Sequence, residues 1–204
     1  NREQEVIFRL SKAAEYRDPE TGGHIQRMAH YSKHISERLG LPIALQNMIL
    51  QAAPMHDIGK VGIPDAILLK PGKLDEAEFE LMKEHALFGY EILNGSSSKL
   101  LQLGALIALT HHEKYDGSGY PKGLTGDVTP IYGQIIAVAD VFDALTSERP
   151  YKRAWSIESA IDFLKDGSGK HFKPECVNAF LKDWDAVMEI KERFTDEVYT
   201  EFQM

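Results

Sequence analysis

The chain has 204 residues, 43% of them hydrophobic, which is enough for one substantial core and requires no second domain. Its formal net charge of -8 argues against nonspecific binding to nucleic acid polymers, because such binding needs a basic surface. No apolar run is long enough to span a bilayer, and the single cysteine, Cys176, fits a reducing compartment. We therefore expect a cytoplasmic protein without a membrane span.

The first segment predicts a helix, because apolar residues recur at helical spacing between residues 3 and 17. The sequence opens with neither an initiator Met nor a signal-peptide pattern. We expect residues 1–17 to be a linker helix that continues from an upstream sensor or receiver domain. A second helix is predicted from about 21 to 39, with Glu20 and His24 one turn apart near its start.

A third helix is predicted from residue 43 to about 55 and ends at the adjacent pair His56 and Asp57. One imidazole and one carboxylate suit a divalent metal of intermediate hardness, such as iron, manganese or zinc. The carboxylate of Asp57 has two oxygens and could bridge two metals. The Gly-containing stretch that follows is predicted to be a loop, which puts Lys60 near the pair on more mobile backbone.

Two more helices carry further histidines. A capping box of Asp75 and Glu78 predicts a helix to about residue 93 that carries His85 beside apolar neighbours. A strongly apolar helix over 99–110 then delivers His111 and His112 at its end. Tandem histidines are hard to explain as core, because burying two adjacent imidazoles requires partners for four ring nitrogens.

A nearly apolar helix predicted over 129–146 contains the carboxylates Asp140 and Asp143. An unpaired carboxylate there costs several kcal/mol, so a counter-charge or a metal is expected, and the apolar flanks make Asp140 the stronger candidate. Helices over 156–165 and 174 to about 188 follow, with 189–204 as a tail. No strand pattern is visible, so the sequence predicts an all-α fold.

The polar residues at the ends of apolar helices form one set: Glu20, His24, His56, Asp57, His85, His111, His112 and Asp140. They are too many for one tetrahedral zinc site, and they suit two or three octahedral metals that share Asp57 and bridging water. The structural alternative, a helical protein whose polar residues are all satisfied, must treat these separate candidates as coincidences.

The His56-Asp57-Ile58-Gly59-Lys60 run, together with His111-His112-Glu113 and Asp116-Gly117-Ser118-Gly119-Tyr120-Pro121, resembles the HD-GYP domain. That family is a branch of the HD-domain metal-dependent phosphohydrolases of bacterial signalling. The resemblance runs from about residue 5 to residue 182 and includes the runs at 17–22, 139–146 and 149–151. It implies that residues 1–204 form one HD-GYP catalytic domain, an HD-domain helical bundle with a metal centre in its core and a GYP loop beside it.

The resemblance implies hydrolysis of cyclic di-GMP to the linear dinucleotide, GMP or both. The matching positions imply that the eight residues above are metal ligands and that substrate contacts fall on Lys60, Gly119, Tyr120, Arg149 and Lys152. A glutamate at the Glu20 position accompanies a trinuclear centre in the family, so a third metal is expected here. Iron or manganese suits the mixed ligands best, with zinc and nickel as alternatives.

The mechanistic hypothesis assigns catalysis to Asp57 and Lys60. A hydroxide that bridges two metals, which Asp57 also bridges, attacks phosphorus, and Lys60 stabilises the developing charge. Arg149 could grip a phosphate bidentately.

Four other functions are kept open. They are a catalytically weak cyclic-dinucleotide receptor, a phosphodiesterase for cyclic GMP-AMP, a general HD phosphohydrolase acting on nucleotides, and a diiron oxygenase. A substrate panel and assays of binding without turnover would separate the first three. The phosphate-suited Lys60 and Arg149 disfavour the oxygenase.

Overall fold

The computed structural model describes residues 2–17, 23–149 and 152–195. Within these ranges the regular structure is helical, and the β pairings are isolated bridges outside any strand. The predicted all-α class is confirmed. The α-helices are α1 Arg2–Glu15, α2 His24–Arg38, α3 Ile43–Ala52, α4 Asp65–Leu68, α5 Glu76–Leu93, α6 Lys99–Thr110, α7 Ile131–Thr146, α8 Ile157–Asp166, α9 Pro174–Leu181 and α10 Trp184–Arg193, and the 3-10 helices are Ala53–Met55, Ile58–Gly62 and Gly126–Val128.

The core is organised around the packing of α2 against α7 and α9. Tyr31, Phe142 and Phe180 each come from one of these helices and are fully buried. Their rings meet edge to face, with centroid distances of 5.5, 5.7 and 4.9 Å. Such aromatic pairs add to the stabilisation from burial alone. The contact fixes α2 and α7, which carry His24 and Asp140, relative to one another.

A glycine lets the 3-10 helix Ile58–Gly62 lie directly against α5. A Cβ on Gly59 would lie 1.9 Å from the carbonyl oxygen of His85 and 2.4 Å from the backbone nitrogen of Gly89. Only a residue without a side chain permits so close an approach of two backbones. This contact sets the segment that follows Asp57 beside the helix that carries His85.

Helix starts follow the local sequence signals. The predicted capping box at the start of α5 is present: Asp75 accepts a hydrogen bond from the backbone of Glu78, whose side chain accepts from the backbone of Asp75. Ser98 and Ser156 cap α6 and α8, because their hydroxyl oxygens accept from the backbone N–H groups of Leu101 and Ser159. These caps satisfy backbone N–H groups that have no partner inside the helix.

Several boundaries differ from the prediction. The segment after Asp57, predicted as a loop, is a 3-10 helix, so Lys60 lies on regular backbone. The predicted 43–55 helix tightens to 3-10 geometry at Ala53–Met55, where Pro54 lacks an N–H. The short helix α4 carries no periodic pattern and was not predicted.

The helix predicted from 174 to about 188 is two helices. They are interrupted at Asp183, whose φ of 55° lies in the left-handed region. The predicted start of the second helix at residue 21 falls outside the described residues, and α2 is described from His24. No helix within the described ranges is long and apolar enough to cross a membrane.

Candidate metal centre

Asp57 lies at the centre of a cluster of histidines. Its Oδ1 atom is 3.2 Å from His85 Nε2 and 3.4 Å from His111 Nε2, and its Oδ2 atom is 3.2 Å from His56 Nε2. His112 joins the group, because a ring nitrogen of His112 and donor atoms of Asp57, His85 and His111 all lie within 4.8 Å of one another. The end of α6, the face of α5 and the segment between α3 and α4 therefore converge here.

A second group of donors adjoins the first. Donor atoms of Glu15, His24 and His56 lie within 4.8 Å of one another, and all three residues are buried. Asp140 Oδ1 is 3.5 Å from His24 Nε2 and 3.8 Å from His56 Nε2. His56 links the two groups of donors, because it belongs to the second group and also contacts Asp57 of the first. The structure thus brings together, in one region, all of the predicted ligands that lie among its described residues; Glu20 lies outside them.

The ring orientations are set by the local backbone. His56, His85 and His111 each point Nδ1 at the carbonyl oxygen three residues earlier, at 3.1, 2.6 and 3.0 Å. A carbonyl oxygen only accepts, so Nδ1 donates in each case and Nε2 is the ring nitrogen that faces the cluster. Metal-ligating histidines in proteins commonly donate their other nitrogen in this way.

His24 is oriented by a buried carboxylate instead. Its Nδ1 is 2.8 Å from Asp143 Oδ2, and Asp143 also accepts from Arg27 at 2.6 and 3.0 Å. Burial acts to raise the pKa of Asp143, but the hydrogen bonds from His24 and Arg27 outweigh it and lower the pKa to about 2. Asp143 therefore stays ionised and directs His24 Nε2 towards Asp140.

The donor set fits a divalent cation. His56 Nε2, Asp57 Oδ1, His85 Nε2 and His111 Nε2 are buried and make no hydrogen bond of normal geometry with any described residue. Each buried polar atom left without a partner costs about 1–3 kcal/mol. Nitrogen and carboxylate oxygen donors that converge in this way suit iron, manganese or zinc.

The electrostatics of the cluster are dominated by burial and by the central carboxylate. Burial acts to raise the pKa of Asp57, yet Lys60 and His56 hold it well below the ordinary value. Burial acts to lower the pKa of His56, but Asp57 and Asp140 raise it to about 9. The pKa of His112 is well below its ordinary value because of burial and its neighbours His111 and His85.

Lys60 is part of the site and not a solvated surface lysine. Its Nζ atom is 2.8 Å from Asp57 Oδ2, and its side chain is only 12% exposed. The ammonium group therefore stands at the edge of the cluster with its position fixed by the central carboxylate.

The GYP loop covers one side of the cluster. The ring of Tyr120 stacks on His112 with a centroid distance of 4.7 Å and an interplanar angle of 21°. A Cβ on Gly119 would lie 2.4 Å from the carbonyl oxygen of His112, so the glycine permits the loop to pack on that backbone. Gly119 and Tyr120, predicted as substrate contacts, thus lie beside the proposed ligand His112.

A buried glutamate holds the loop in shape. Glu113 is 3% exposed, and its two carboxylate oxygens accept hydrogen bonds from the backbone N–H groups of Lys122 and Leu124 at 2.7 and 2.9 Å. Because the same residue follows His111 and His112 directly, the loop geometry is tied to the end of α6.

Arg149 and Lys152, the remaining predicted substrate contacts, pair through their backbones. The N–H of each donates to the carbonyl oxygen of the other, at 2.9 and 3.0 Å; residues 150–151 lie outside the described ranges. The Lys152 ammonium lies 5.8 Å from the centroid of the Trp155 ring. Their predicted contact with phosphate stays a prediction.

Two residues of the site are not among the predicted ligands. Glu15 is 5% exposed on α1, and Asp143 is fully buried on α7. Glu15 follows Ile7, Ser11 and Ala14 on the buried face of α1, so a carboxylate on an apolar helix face was the signal available. Asp143 is the second carboxylate of the predicted 129–146 helix, and in the structure it orients His24.

Comparison with known proteins places this arrangement in a family. The sequence model of the HD domain matches residues 9–176. The chain is 52% identical over 181 residues to the cyclic di-GMP phosphodiesterase response regulator RpfG of Xanthomonas campestris, covering 89% of this chain and 48% of that protein. It is 50% identical over 193 residues to a cyclic di-GMP phosphodiesterase of Thermotoga maritima, covering 95% and 52%.

A third relative carries a different substrate in its name. The chain is 47% identical over 193 residues to 3'3'-cGAMP-specific phosphodiesterase 2 of Vibrio cholerae, covering 95% of this chain and 37% of that protein. The chain therefore spans about half of these relatives or less.

The fold has a counterpart among solved structures. A cyclic GMP-AMP specific phosphodiesterase of Vibrio cholerae superposes with a TM-score of 0.67 at 19% identity, covering 92% of this chain and 50% of that one. At this identity the likeness supports the fold. With the family match and the sequence identities, the chain belongs to the HD-domain family, in the HD-GYP branch that its His56-Asp57 pair and its Gly119-Tyr120-Pro121 loop indicate.

Proposed function

We propose that this chain is a metal-dependent phosphodiesterase that hydrolyses cyclic di-GMP. The observation that carries the proposal is the buried convergence of Asp57, His85, His111 and His112, with Lys60 bound to the central carboxylate. Relatives that share 52% and 50% identity with it are named cyclic di-GMP phosphodiesterases.

We assign two adjoining metal positions to the two donor groups. Asp57, His85, His111 and His112 would hold one ion, while His24, His56 and Asp140 would hold the other, with Asp57 available to both. A third ion would take Glu20, as the resemblance to the HD-GYP family implies, or Glu15, which lies beside His24 and His56. Divalent ions, when bound, neutralise phosphate charge and lower the pKa of coordinated water.

The remaining residues bind and orient the substrate. Lys60 is held at the edge of the cluster by Asp57, where its ammonium group can stabilise negative charge on the phosphate. Burial, and then the charge of Asp57, raise the pKa of Tyr120 well above its ordinary value. Its hydroxyl therefore keeps its proton and can donate to a phosphate oxygen. Arg149, which follows α7, is proposed to bind a phosphate bidentately.

Cyclic GMP-AMP is the second candidate substrate. The specific observation in its favour is the 47% identity to a 3'3'-cGAMP-specific phosphodiesterase over 95% of this chain. The two cyclic dinucleotides share the same phosphodiester chemistry and differ in one base, so the metal centre itself cannot distinguish them. The choice depends on residues that contact the bases.

One experiment tests the function. The protein is reconstituted anaerobically with iron or with manganese, metals are counted per chain, and turnover of both cyclic dinucleotides is followed on the same sample. About three metals with GMP accumulating supports a trinuclear phosphodiesterase. Two metals per chain with the linear dinucleotide as product would support the phosphodiesterase activity and contradict the third metal site. Full metal occupancy with binding and no cleavage makes the chain a receptor.

The neighbouring domain and the cellular location of this chain stay predictions. An upstream sensor or receiver domain and a cytoplasmic location are expected from the sequence.

A further inference from the structure

Three side chains form a corner beside the GYP loop: Phe79, Lys83 and Tyr120, called here the aromatic corner. The rings of Phe79 and Tyr120 stand almost perpendicular, at 84°, with a centroid distance of 6.2 Å. The Lys83 ammonium lies 5.5 Å from the Phe79 centroid and 5.7 Å from that of Tyr120. Phe79 and Lys83 are one turn apart on α5 and therefore project the same way.

The corner is a direct outward extension of the proposed metal centre. Tyr120 stacks on His112 and lies 6.4 Å from His85, centroid to centroid. Phe79 is one ring further out and is 46% exposed, which is unusual for a phenylalanine that meets another aromatic ring. From the interior to the surface, the proposed metal donors come first and the ring of Tyr120 second. The exposed ring of Phe79 comes last, with the Lys83 ammonium beside it.

Phe79 and Lys83 lie outside the buried core. Phe79 is exposed, and the Lys83 side chain is 24% exposed. Lys83 pairs with Glu80 at 2.6 Å, but Glu80 is 63% exposed, and a surface pair of this kind contributes little to stability.

We propose that the aromatic corner is a guanine-binding subsite, in which a base of the cyclic dinucleotide stacks on Phe79 while Lys83 donates to its O6 and N7 atoms. The inference rests on the proposed function, because the phosphodiester must sit at the metal centre for a base to reach the corner. In a cyclic dinucleotide the phosphates belong to the central ring and the bases extend from it, so a base subsite must lie outward of the metals.

The chemistry of the corner selects among bases. Stacking on an aromatic ring is open to any base, since every base has a π-face. Guanine presents two acceptors, O6 and N7, on one edge, whereas adenine presents one acceptor and one donor there. Lysine donates only, so Lys83 favours guanine. Both candidate substrates contain guanine, and the corner is therefore expected to accept either one and to disfavour cyclic di-AMP.

The test compares variants on metal-loaded protein with cyclic di-GMP as substrate. Phe79→Ala is expected to raise KM about tenfold with kcat changed less than twofold, and Phe79→Trp is expected to restore KM because it keeps a stacking surface. Leu81→Ala is the matched control, because Leu81 is 51% exposed on the same helix and truncation there removes a similar apolar side chain. Metal content and thermal stability are measured for each variant.

The lysine is tested through base discrimination. Lys83→Gln is expected to raise KM for cyclic di-GMP about threefold while leaving the inhibition constant of cyclic di-AMP unchanged. Equal effects on both ligands would show a nonspecific charge effect and would overturn the guanine assignment. A Phe79→Ala variant that behaves like Leu81→Ala would overturn the subsite altogether.

A non-hydrolysable phosphorothioate analogue of cyclic di-GMP separates this inference from the proposed function. If wild-type protein binds metals but cleaves nothing, the proposed activity fails. The subsite is then decided by equilibrium binding of the analogue. A roughly tenfold weaker Kd for Phe79→Ala supports the subsite, and an unchanged Kd overturns it.

Discussion

Individual side chains at this site are positioned mainly by their own helices. Three histidines aim Nε2 at the cluster because Nδ1 donates to a carbonyl one turn back, a contact that the helical backbone supplies without tertiary help. Lys60 differs, because its ammonium is fixed by Asp57. Mutation can therefore separate the proposed role of the histidines in metal binding from that of Lys60 in phosphate binding.

Lys60→Ala is expected to lower turnover about 100-fold while metal content stays near that of the wild type. The reason is that removal of one preoriented charge at the phosphate costs transition-state stabilisation but removes no ligand. Steady-state rates and metal analysis on the same preparation measure both quantities. Lys70→Ala, on a lysine that pairs with Glu78 away from the cluster, is the control. Equal loss of rate and metal would assign Lys60 to the structure of the centre instead.

Glu15→Gln and Glu20→Ala, made separately, are expected to identify the ligand of the third ion. Glu15 lies with His24 and His56, so loss of its charge should lower occupancy by about one metal per chain if it holds that ion. Glu20→Ala should lower occupancy by about one metal per chain if Glu20 holds the third ion, as the resemblance to the family implies. Metal counting by elemental analysis distinguishes the two. Unchanged stoichiometry in both variants would exclude a third ion at either residue.

Many of the proposed donors stand out in the sequence, because they interrupt or follow apolar helices, where a polar side chain is costly. His85 and Asp140 are examples, and the structure brings both to one region. For Glu15 the apolar face of α1 indicates burial but does not indicate which residues it meets. Its proximity to His56, 41 positions later in the chain, depends on how α1 packs against the segment between α3 and α4, which is a property of tertiary structure.

At the scale of elements, the contact between the 3-10 helix Ile58–Gly62 and α5 determines the distance from Asp57 to His85. That contact requires the absence of a Cβ at Gly59. The sequence showed a glycine-containing stretch that was predicted as a loop. A short 3-10 helix gives no periodic pattern, whereas the capping box of α5 is encoded within four residues and was predicted correctly.

Gly59→Ala is expected to destabilise the fold by about 1–3 kcal/mol, because the new Cβ would collide with the backbone of α5. It should also weaken metal binding, since the two halves of the donor set would move apart. Gly62→Ala is the matched control: its Cβ would meet the ring of Phe88, 2.7 Å away, and a side chain can shift. Denaturant unfolding and metal titration measure the two effects. Equal destabilisation by both variants would show that backbone contact is not the cause.

The helix predicted from 174 to about 188 was wrong because the break inside it is not visible in the local sequence. The apolar pattern of α9 continues into α10 without a visible break. The left-handed conformation of Asp183, which separates the helices, is accompanied by an ion pair with Arg38 on α2. A single residue in the left-handed region interrupts no apolar pattern, so the break between the two helices leaves no local composition signal.

For the whole molecule, the metal centre connects segments that are far apart in the chain. The donors lie on α1, α2, α5 and α7, in the segment between α3 and α4, and at the end of α6. Ions bound there stabilise the native state by mass action, because the unfolded chain does not present the same set of donors.

Removal of the metals with a chelator is expected to lower the melting temperature by about 5–10 °C. Ligand at 100 times its Kd contributes about 2.7 kcal/mol, and 1 kcal/mol corresponds to about 2–4 °C for a domain of this size. Differential scanning fluorimetry of loaded, stripped and reloaded protein measures the shift. A melting temperature that does not respond to stripping would show that the fold does not depend on the centre.

The spread of donors along the sequence also has a consequence for biosynthesis. During translation the first donor described, Glu15, leaves the ribosome long before Asp140, which is the last. A nascent chain that has not yet exposed α7 carries His56, Asp57 and His85 but lacks Asp140 and the Asp143 that orients His24. Metal capture is therefore expected to be a late event that follows release of most of the chain, and the cell's pool of exchangeable metal at that moment decides which ion is acquired.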